Sequence, residues 1–368
     1  MTYVPFNDLS RIHNESIDDT FKIFKKIVNK SQFVLNDYIK NFEKDFASYT
    51  KQKYFVSCAN GTDAIELILR GLDIGHGDEV ILPTNSFIAT SIAVSRCGAM
   101  PIFVDNDEFY LIDVEDVKRK ITKKTKAIIA VNLYGQMADL SSLSKIAKKN
   151  NIYLIEDAAQ SHGAHDQNLR NVGYYSMAAA YSFYPGKNLG AWGDGGGVTT
   201  NNKKLAEKLS ALRVYGSEKK YYHKYQGFNS RLQPFQGYVL SKKLLALDSW
   251  NQERLEIAKT YNEAFNNNSS VITPKTFKNN KHVWHLYVLR VKNRNKTIKE
   301  ALKLGVELSI HYPVPINKQL AYKNHKQSLS KFNNSDNFSK NIVSLPIFPK
   351  MKKNEVTKVI DTLVKVNQ

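Results

Sequence analysis

The sequence predicts an α/β protein, with a mixed, mostly parallel sheet flanked by helices and a smaller α+β domain at the C-terminus. Three observations carry this. Between Lys53 and residue 200, short apolar runs alternate with longer amphipathic stretches, the pattern of strand–helix–strand crossovers. Hydrophobic residues make up 42% of the 368, enough for a sizeable core and too many for a disordered chain. A polar break over residues 266–281, NNNSSVITPKTFKNNK, then sets off a second, shorter group of elements. The length fits two domains, divided here as residues 1–250 and 251–368.

The elements follow in order. Residues 8–50 read as mostly helical, with Ile17, Phe21, Phe24, Ile27 and Val28 recurring on one helical face. From Lys53 the runs KYFVS, DEVILP, PIFVD, KAIIAVN, IYLIED and AAAYSF are short and apolar, as buried strands are. Between them DAIELILRGL, IATSIAVSRCG and LSSLSKIAKKN are longer and periodic, as helices are. Phe235, Val239, Leu240, Leu244, Leu245 and Leu247 begin long helices over residues 233–266. Past the break, HLYVLRV reads as a strand, TIKEALKLG as a helix and NEVTKVIDTLVK as a closing helix. KNHKQSLSKFNNSDNFSKN reads as a polar loop.

The formal net charge is +19, and its distribution is uneven. Residues 1–200 are net −1 and residues 201–368 net +20. A basic half suggests nucleic acid, a membrane surface or anionic small molecules. The lysines come as scattered singles and pairs, with no block interleaving them with aromatics as a nucleic-acid surface would. They read as a solvated surface, and no nucleic-acid partner is expected. No apolar run approaches the ~18 residues of a membrane helix, and MTYVPFNDLS lacks the basic start and apolar core of a signal peptide. Cys58 and Cys97, the only cysteines, fit a reducing compartment. A cytoplasmic protein without a metal site or membrane partner is expected.

The chemistry concentrates in EDAAQSHGAHDQNLRNVGYYSMAAAYSFYPGKNLGAWGDGGGVTT, residues 156–200. Lys187 follows a predicted strand inside a Pro-Gly turn, where backbone can approach a ligand closely. An amine there can form a Schiff base with an aldehyde cofactor. Asp157 closes the strand IYLIE, 30 residues earlier. A pyridoxal phosphate (PLP) enzyme needs such a pair, the lysine for the aldehyde and the carboxylate to keep the pyridine nitrogen protonated. Ser182, five residues before Lys187, can hold the cofactor phosphate. Asn60-Gly61-Thr62-Asp63 lies where a strand meets a helix, and a helix N-terminus offers free N–H groups to an anion. Phe87, in PTNSFIAT, is an aromatic at another such junction and can stack on a flat cofactor. Taken singly, each has a plain structural reading: a surface lysine, a helix-capping acid, a bonded serine, a packed ring.

The combination is specific. ANGTDAI, NSFIAT, NLYGQMADL, EDAAQSHGA, SFYPGKNLGAWGDGG, GFNSRL and IHYPVP together resemble the DegT/StrS nucleotide-sugar aminotransferases, PLP-dependent transferases of fold type I. The resemblance spans roughly residues 4–365 and implies Lys187 as the Schiff-base residue and Asp157 as the acid at the ring. It implies that Gln160 packs near the ring, that Ser182 and Thr62, with Gly61, bind the phosphate, and that Phe87 stacks. Asn229, in GFNSRL, resembles an asparagine that reaches the phosphate from the neighbouring subunit, so a homodimer with shared active sites is implied. Two departures stand out. Where the family has an acid followed by Gln-Ala-Ala, this chain has Gln233, Pro234 and Gln236-Gly237, and the loop HDQNLRNVGYYS is less regular than usual. Neither touches the cofactor set, and Lys187 sets the chain apart from the family's dehydrating branch, which has histidine there.

Within the family, SFYPGKNLGA, YHKYQGFNSRL and IHYPVP look most like enzymes that move an amino group from L-glutamate to a dTDP-linked 3-keto-6-deoxyhexose. The implied product is a dTDP-3-amino-3,6-dideoxyhexose for surface polysaccharide, such as O-antigen, or another glycan. Enzymes aminating UDP- or dTDP-linked 4-keto sugars are the near alternative. Tyr134, His162, Tyr184, His223, Arg231, His311 and Tyr312 are candidates to line the nucleotide-sugar site. A regulator using the same fold without catalysis is the reading from another class, and the complete active set speaks against it.

Overall fold

Three helices open the chain in the computed structural model, which describes residues 3–13, 17–266 and 268–367. They are α1 (Ser10–His13), α2 (Ile17–Asn29) and α3 (Asp37–Thr50). The Asn36 side chain caps α3 by accepting from the Tyr38 N–H. Its face of Ile39, Phe42 and Phe46 is buried, with both phenylalanines packed edge-on against Phe183. The apolar residues of α2 do share a face, but of the five only Ile27 is buried; Ile17, Phe21, Phe24 and Val28 stay exposed.

The main sheet is built from β1 (Tyr54–Cys58), β2 (Glu79–Pro83), β3 (Met100–Val104), β4 (Thr125–Val131), β5 (Tyr153–Asp157), β6 (Ala178–Ser182) and β7 (Gly196–Thr200). Helices α4 (Gly61–Gly71), α5 (Ala89–Arg96), α6 (Val114–Lys120) and α7 (Leu140–Lys149) lie between strands. The order is β1-β7-β6-β5-β4-β2-β3. Strands β2 to β6 pair in parallel, and β7 runs antiparallel to β1 and β6. The carboxyl ends of β1 to β6 therefore meet along one edge, where ligands bind in open α/β sheets. Cores on both faces of the sheet explain why the strands read as unbroken apolar runs rather than alternating ones.

The remainder comprises α8 (Lys203–Leu212), β8 (Ser217–Lys219), β9 (Tyr222–His223), α9 (Pro234–Leu244), α10 (Leu247–Phe265), β10 (Val271–Ile272), β11 (Tyr287–Val291), α11 (Arg294–Lys303), α12 (Asn333–Asn341), β12 (Ile342–Leu345) and α13 (Lys353–Val366). β10, β11 and β12 form a second, antiparallel sheet. Its core joins Tyr261 of α10, Tyr287, Val343 and Val359 to Val4 from the other end of the chain. Val4 bridges to Val306, and the Phe6 N–H donates to Glu307. The expected division at residue 250 falls inside α10, whose buried face runs from Leu247 to Phe265.

The segment read as a polar loop, residues 323–341, contains α12 and closes the edge of the main sheet. Gln327 uses its amide as a strand would, accepting from the Phe103 N–H at 2.9 Å and donating to the Phe103 carbonyl at 2.8 Å. Ser335 donates to Asp105 at 2.6 Å. An edge covered by polar side chains carries no apolar periodicity, so this role left no pattern to read. No helix among the described residues is long and apolar enough to cross a membrane.

Candidate active site

The strand ends at the sheet edge open onto a cavity of about 750 Å³. At one wall, β1 turns into α4. Asn60 caps the helix, its side chain accepting from the Asp63 N–H at 2.8 Å. That leaves the N–H groups of Gly61 and Thr62 without a partner within the helix, at the wall of the cavity that Ser182 also lines. The approach is close: a Cβ on Gly61 would lie 2.7 Å from Ser182 Cβ. A Cβ on Gly196, in the strand between them, would lie 2.3 Å from the Asn60 carbonyl carbon. Glycine at both positions lets helix dipole, amides and hydroxyl converge as an anion cradle.

Asp157 stands at the end of β5, buried beside the cradle. Its Oδ2 accepts from Thr90 Oγ1 at 2.7 Å and its Oδ1 from the Ala159 N–H at 3.2 Å. Burial pushes the carboxyl up, while Thr90, the Ala159 amide and Lys187 pull it back. Gln160 is held on two sides, accepting from the Tyr134 N–H at 2.7 Å and donating to the Tyr312 hydroxyl at 3.2 Å. Phe87 lines the cavity with 55% of its surface exposed, its ring 5.7 Å from that of Tyr312. A large ring so exposed at a cavity wall is available to stack on a flat ligand.

Lys187 enters from a loop wrapped on itself. Its N–H donates to the Tyr184 carbonyl at 2.8 Å, and Ala191 N–H to Phe183 at 2.8 Å. Asn188 ties the loop to α10 and to Val283, donating to Asn251 at 2.8 Å and to the Val283 carbonyl at 2.9 Å. Gln236, one of the departures, holds the far side: its amide accepts from the Trp192 N–H and donates to the Trp192 carbonyl, both at 2.8 Å. Gly237 lets α9 approach α3 closely, since a Cβ there would lie 3.0 Å from the Tyr38 carbonyl oxygen. Burial pulls the Lys187 ammonium down to about 8, against the upward pull of Asp157.

The structure brings Gly61, Thr62, Phe87, Asp157, Gln160, Ser182, Tyr184, Lys187, His311 and Tyr312 to the one cavity. It does not bring the others there. His162 is fully buried, with ring centroids 5.6 Å from both Tyr181 and Phe183. Strand alternation sends those two rings to the side opposite Ser182, and His162 packs with them. Burial, with the charge of Lys187, pulls it down to about 3. Tyr134 is likewise buried, its hydroxyl donating to the His311 carbonyl, so it braces the turn that carries His311 and Tyr312. His223 and Asn229 are exposed and Arg231 is half-buried, all outside the cavity of their own chain.

Several lining residues carried no readable signal. Phe6 and Asn7 arrive with the N-terminal segment, and Phe6 stacks on His311 at 5.5 Å. His285 and Arg254 line the cavity as well. Burial, then the charges of Lys187 and Arg254, hold His285 well below its ordinary value, and its Nδ1 lies 3.0 Å from Asn188 Oδ1. No group of three or more His, Cys, Asp or Glu among the described residues could hold a metal ion.

An amine, a buried acid, an exposed ring and an anion cradle around one cavity suit a flat, phosphate-bearing aldehyde. Residues 14–364 match the sequence profile of the DegT/DnrJ/EryC1/StrS aminotransferase family. The chain is 44% identical over 361 residues to the dTDP-3-amino-3,6-dideoxy-alpha-D-galactopyranose transaminase of Aneurinibacillus thermoaerophilus, covering 98% of each. It is 39% identical over 363 residues to the "Pleiotropic regulatory protein" of Geobacillus stearothermophilus, covering 98% of this chain and 97% of that one. Among solved structures, S. venezuelae DesV in complex with a ketimine intermediate superposes with a TM-score of 0.97 at 37% identity, over 100% of both chains. With the family profile matched across almost the whole chain and the fold shared end to end, the chain belongs to the DegT/DnrJ/EryC1/StrS aminotransferase family and is a transaminase of PLP fold type I.

Proposed function

We propose that the protein uses PLP to move an amino group from L-glutamate to a dTDP-linked 3-keto-6-deoxyhexose, giving a dTDP-3-amino-3,6-dideoxyhexose for surface polysaccharide or another glycan. The observation that carries the cofactor reading is the opening of Lys187, Asp157, Phe87 and the Ser182–α4 cradle onto one cavity. When bound, PLP supplies an aldehyde that takes up and passes on the amino group, and a ring that accepts electrons. Lys187, with its ammonium pulled down to about 8, has neutral amine at hand both to attach the aldehyde and to carry a proton. Asp157 holds a proton at the ring nitrogen, with Thr90 fixing its orientation. Ser182, Gly61 and Thr62 hold the phosphate, and Phe87 stacks on the ring.

A homodimer with shared sites is part of the reading. Asn229 is exposed and lies outside its own chain's cavity, as a residue serving a partner's site would. The apolar face of α2, open to solvent in the single chain, is of the kind a second chain covers. The sugar is supported by the relative that acts on a dTDP-3-amino sugar and by the basic excess of residues 201–368, since Lys and Arg favour phosphate oxygens.

The test is a competition with L-glutamate between equal concentrations of a dTDP-3-keto-6-deoxyhexose and a UDP-4-keto-6-deoxyhexose. The expected product carries its new amine at C3 by NMR. A preference for the 4-keto sugar, with the amine at C4, rejects the substrate and leaves the transaminase. A protein that binds PLP and turns over no sugar favours a regulatory role instead.

A further inference from the structure

Arg254 is only 3% exposed, yet it lines the active-site cavity. It stands on α10, on the same face as Asn251 and Tyr261. Asn251 fixes the lysine loop through Asn188, and Tyr261 donates to the Pro346 carbonyl at 2.8 Å. Arg254 Nη1 donates to the next carbonyl, Ile347. That contact accounts for one corner of the guanidinium. Its Nε is buried without a hydrogen-bond partner, so the Nε corner, part of the side-on fork of the group, is left unpaired.

The missing partner is an anion. Among the described residues no carboxylate forms an ion pair with Arg254. Neighbouring Glu253 accepts from the Lys350 N–H. Asp157, the buried acid of the cavity, is held by Thr90. A buried cation without a counter-charge is costly, and a planar fork fits a carboxylate through two parallel hydrogen bonds. Two ligand anions can enter this cavity, a carboxylate of the amino donor and the diphosphate of the acceptor. Position separates them. Arg254 and Lys187 line the same cavity, and the charge of each acts on His285, which lines it too. The donor's amino group must reach the Lys187 side, and its carboxylates are a few bonds away. The diphosphate is separated from the reacting carbon by the sugar ring and belongs nearer the mouth.

We infer that Arg254 is the anchor for a carboxylate of the amino donor. The assignment rests on the transaminase reading and says which half of the reaction the residue serves.

The experiment follows each half-reaction of the PLP-loaded enzyme through the cofactor's absorbance. Three donors are compared: L-glutamate, L-glutamine, and a dTDP-3-amino-3,6-dideoxyhexose, which runs the second half backwards and has no carboxylate. Arg254→Gln is expected to raise the KM for L-glutamate by about 10- to 100-fold, the scale of a lost charge-assisted bond, and to leave the amino-sugar arm within about twofold. Arg254→Lys should recover part of the loss. It keeps the charge without the fork, and it serves alone if the glutamine variant does not fold. If the γ-carboxylate is held, the variants stop distinguishing glutamate from glutamine; if the α-carboxylate, both donors weaken together. Equal losses in the amino-sugar arm, or an unchanged KM for L-glutamate in both variants, overturn the assignment and leave the transaminase standing. A wild-type enzyme that takes no amino group from either amino acid overturns both.

Discussion

Thr90 Oγ1 donates to Asp157 Oδ2 at 2.7 Å, and the same hydroxyl lies 3.0 Å from Ser86 Oγ. Thr90 lies in the first turn of α5, the helix that follows Phe87, so one hydroxyl links the turn carrying the exposed ring to the acid. Among the influences on the acid, burial pushes its pKa up and Thr90 is the largest pulling it down.

Thr90→Val should therefore let Asp157 rise further, so that its charged form is lost at a higher pH. In the PLP-loaded enzyme the acid limb of the kcat profile should move to higher pH, while Thr90→Ser keeps the wild-type profile. The unpaired oxygen should also cost about 1–3 kcal/mol in urea unfolding. A limb that does not move breaks the proposed link between Thr90 and the charge on Asp157.

The rate at which the apo-protein captures PLP should rise with pH through about 8, where the Lys187 ammonium gives up its proton. Below that pH the amine is charged and cannot attack the aldehyde, so the sign is fixed. Stopped-flow absorbance at a series of pH values reads it. Lys187→Ala should show no such rise, and borohydride should then label no peptide in that variant.

Gly61→Ala should weaken PLP binding at least about tenfold, one charge-assisted bond's worth. The new Cβ would sit 2.7 Å from Ser182 Cβ, so either the α4 amides or the Ser182 hydroxyl must retreat from the phosphate. Equilibrium titration of the apo-protein with PLP checks it. Circular dichroism should show the fold unchanged, because the clash is local.

If Asn229 serves a partner's site, mixing inactive Lys187→Ala with an inactive Asn229→Ala should restore activity. A symmetric dimer of the two variants carries one intact site, so equal mixing should recover about a quarter of the wild-type rate. No recovery after verified subunit exchange would place Asn229 in its own chain's site or in none.

How much of this was legible depended on where each residue sits. Asp157 and Ser182 close strands and Phe87 and Lys187 follow strand ends, and a short apolar run broken by turn residues marks such ends in the sequence. Arg254 left no mark, because a charged residue set among Gln252, Glu253, Glu256 and Lys259 looks solvated. Its burial comes with tertiary contacts such as that to Ile347, between distant parts of the chain. His162 misled for the reverse reason. Its polarity suggested the pocket, but the alternation that aims Ser182 at the cavity puts Tyr181 and Phe183 on the far side, where the imidazole packs. The five apolar residues of α2 correctly announced one helical face, yet periodicity does not say whether that face is buried, and four of the five are exposed.

The N-terminal segment has a consequence for how the protein is made. The Phe6 amide finds its partner, Glu307, 301 residues away, and Phe6 with Asn7 walls the cavity. A ribosome delivers these residues long before Glu307, so the partner that holds the Phe6 amide does not yet exist when they emerge. The seven-stranded sheet, the lysine and the acid are also synthesised before Glu307. A nascent chain thus presents its reactive amine in a half-built vessel, whose last wall closes when residues made early meet a partner made late.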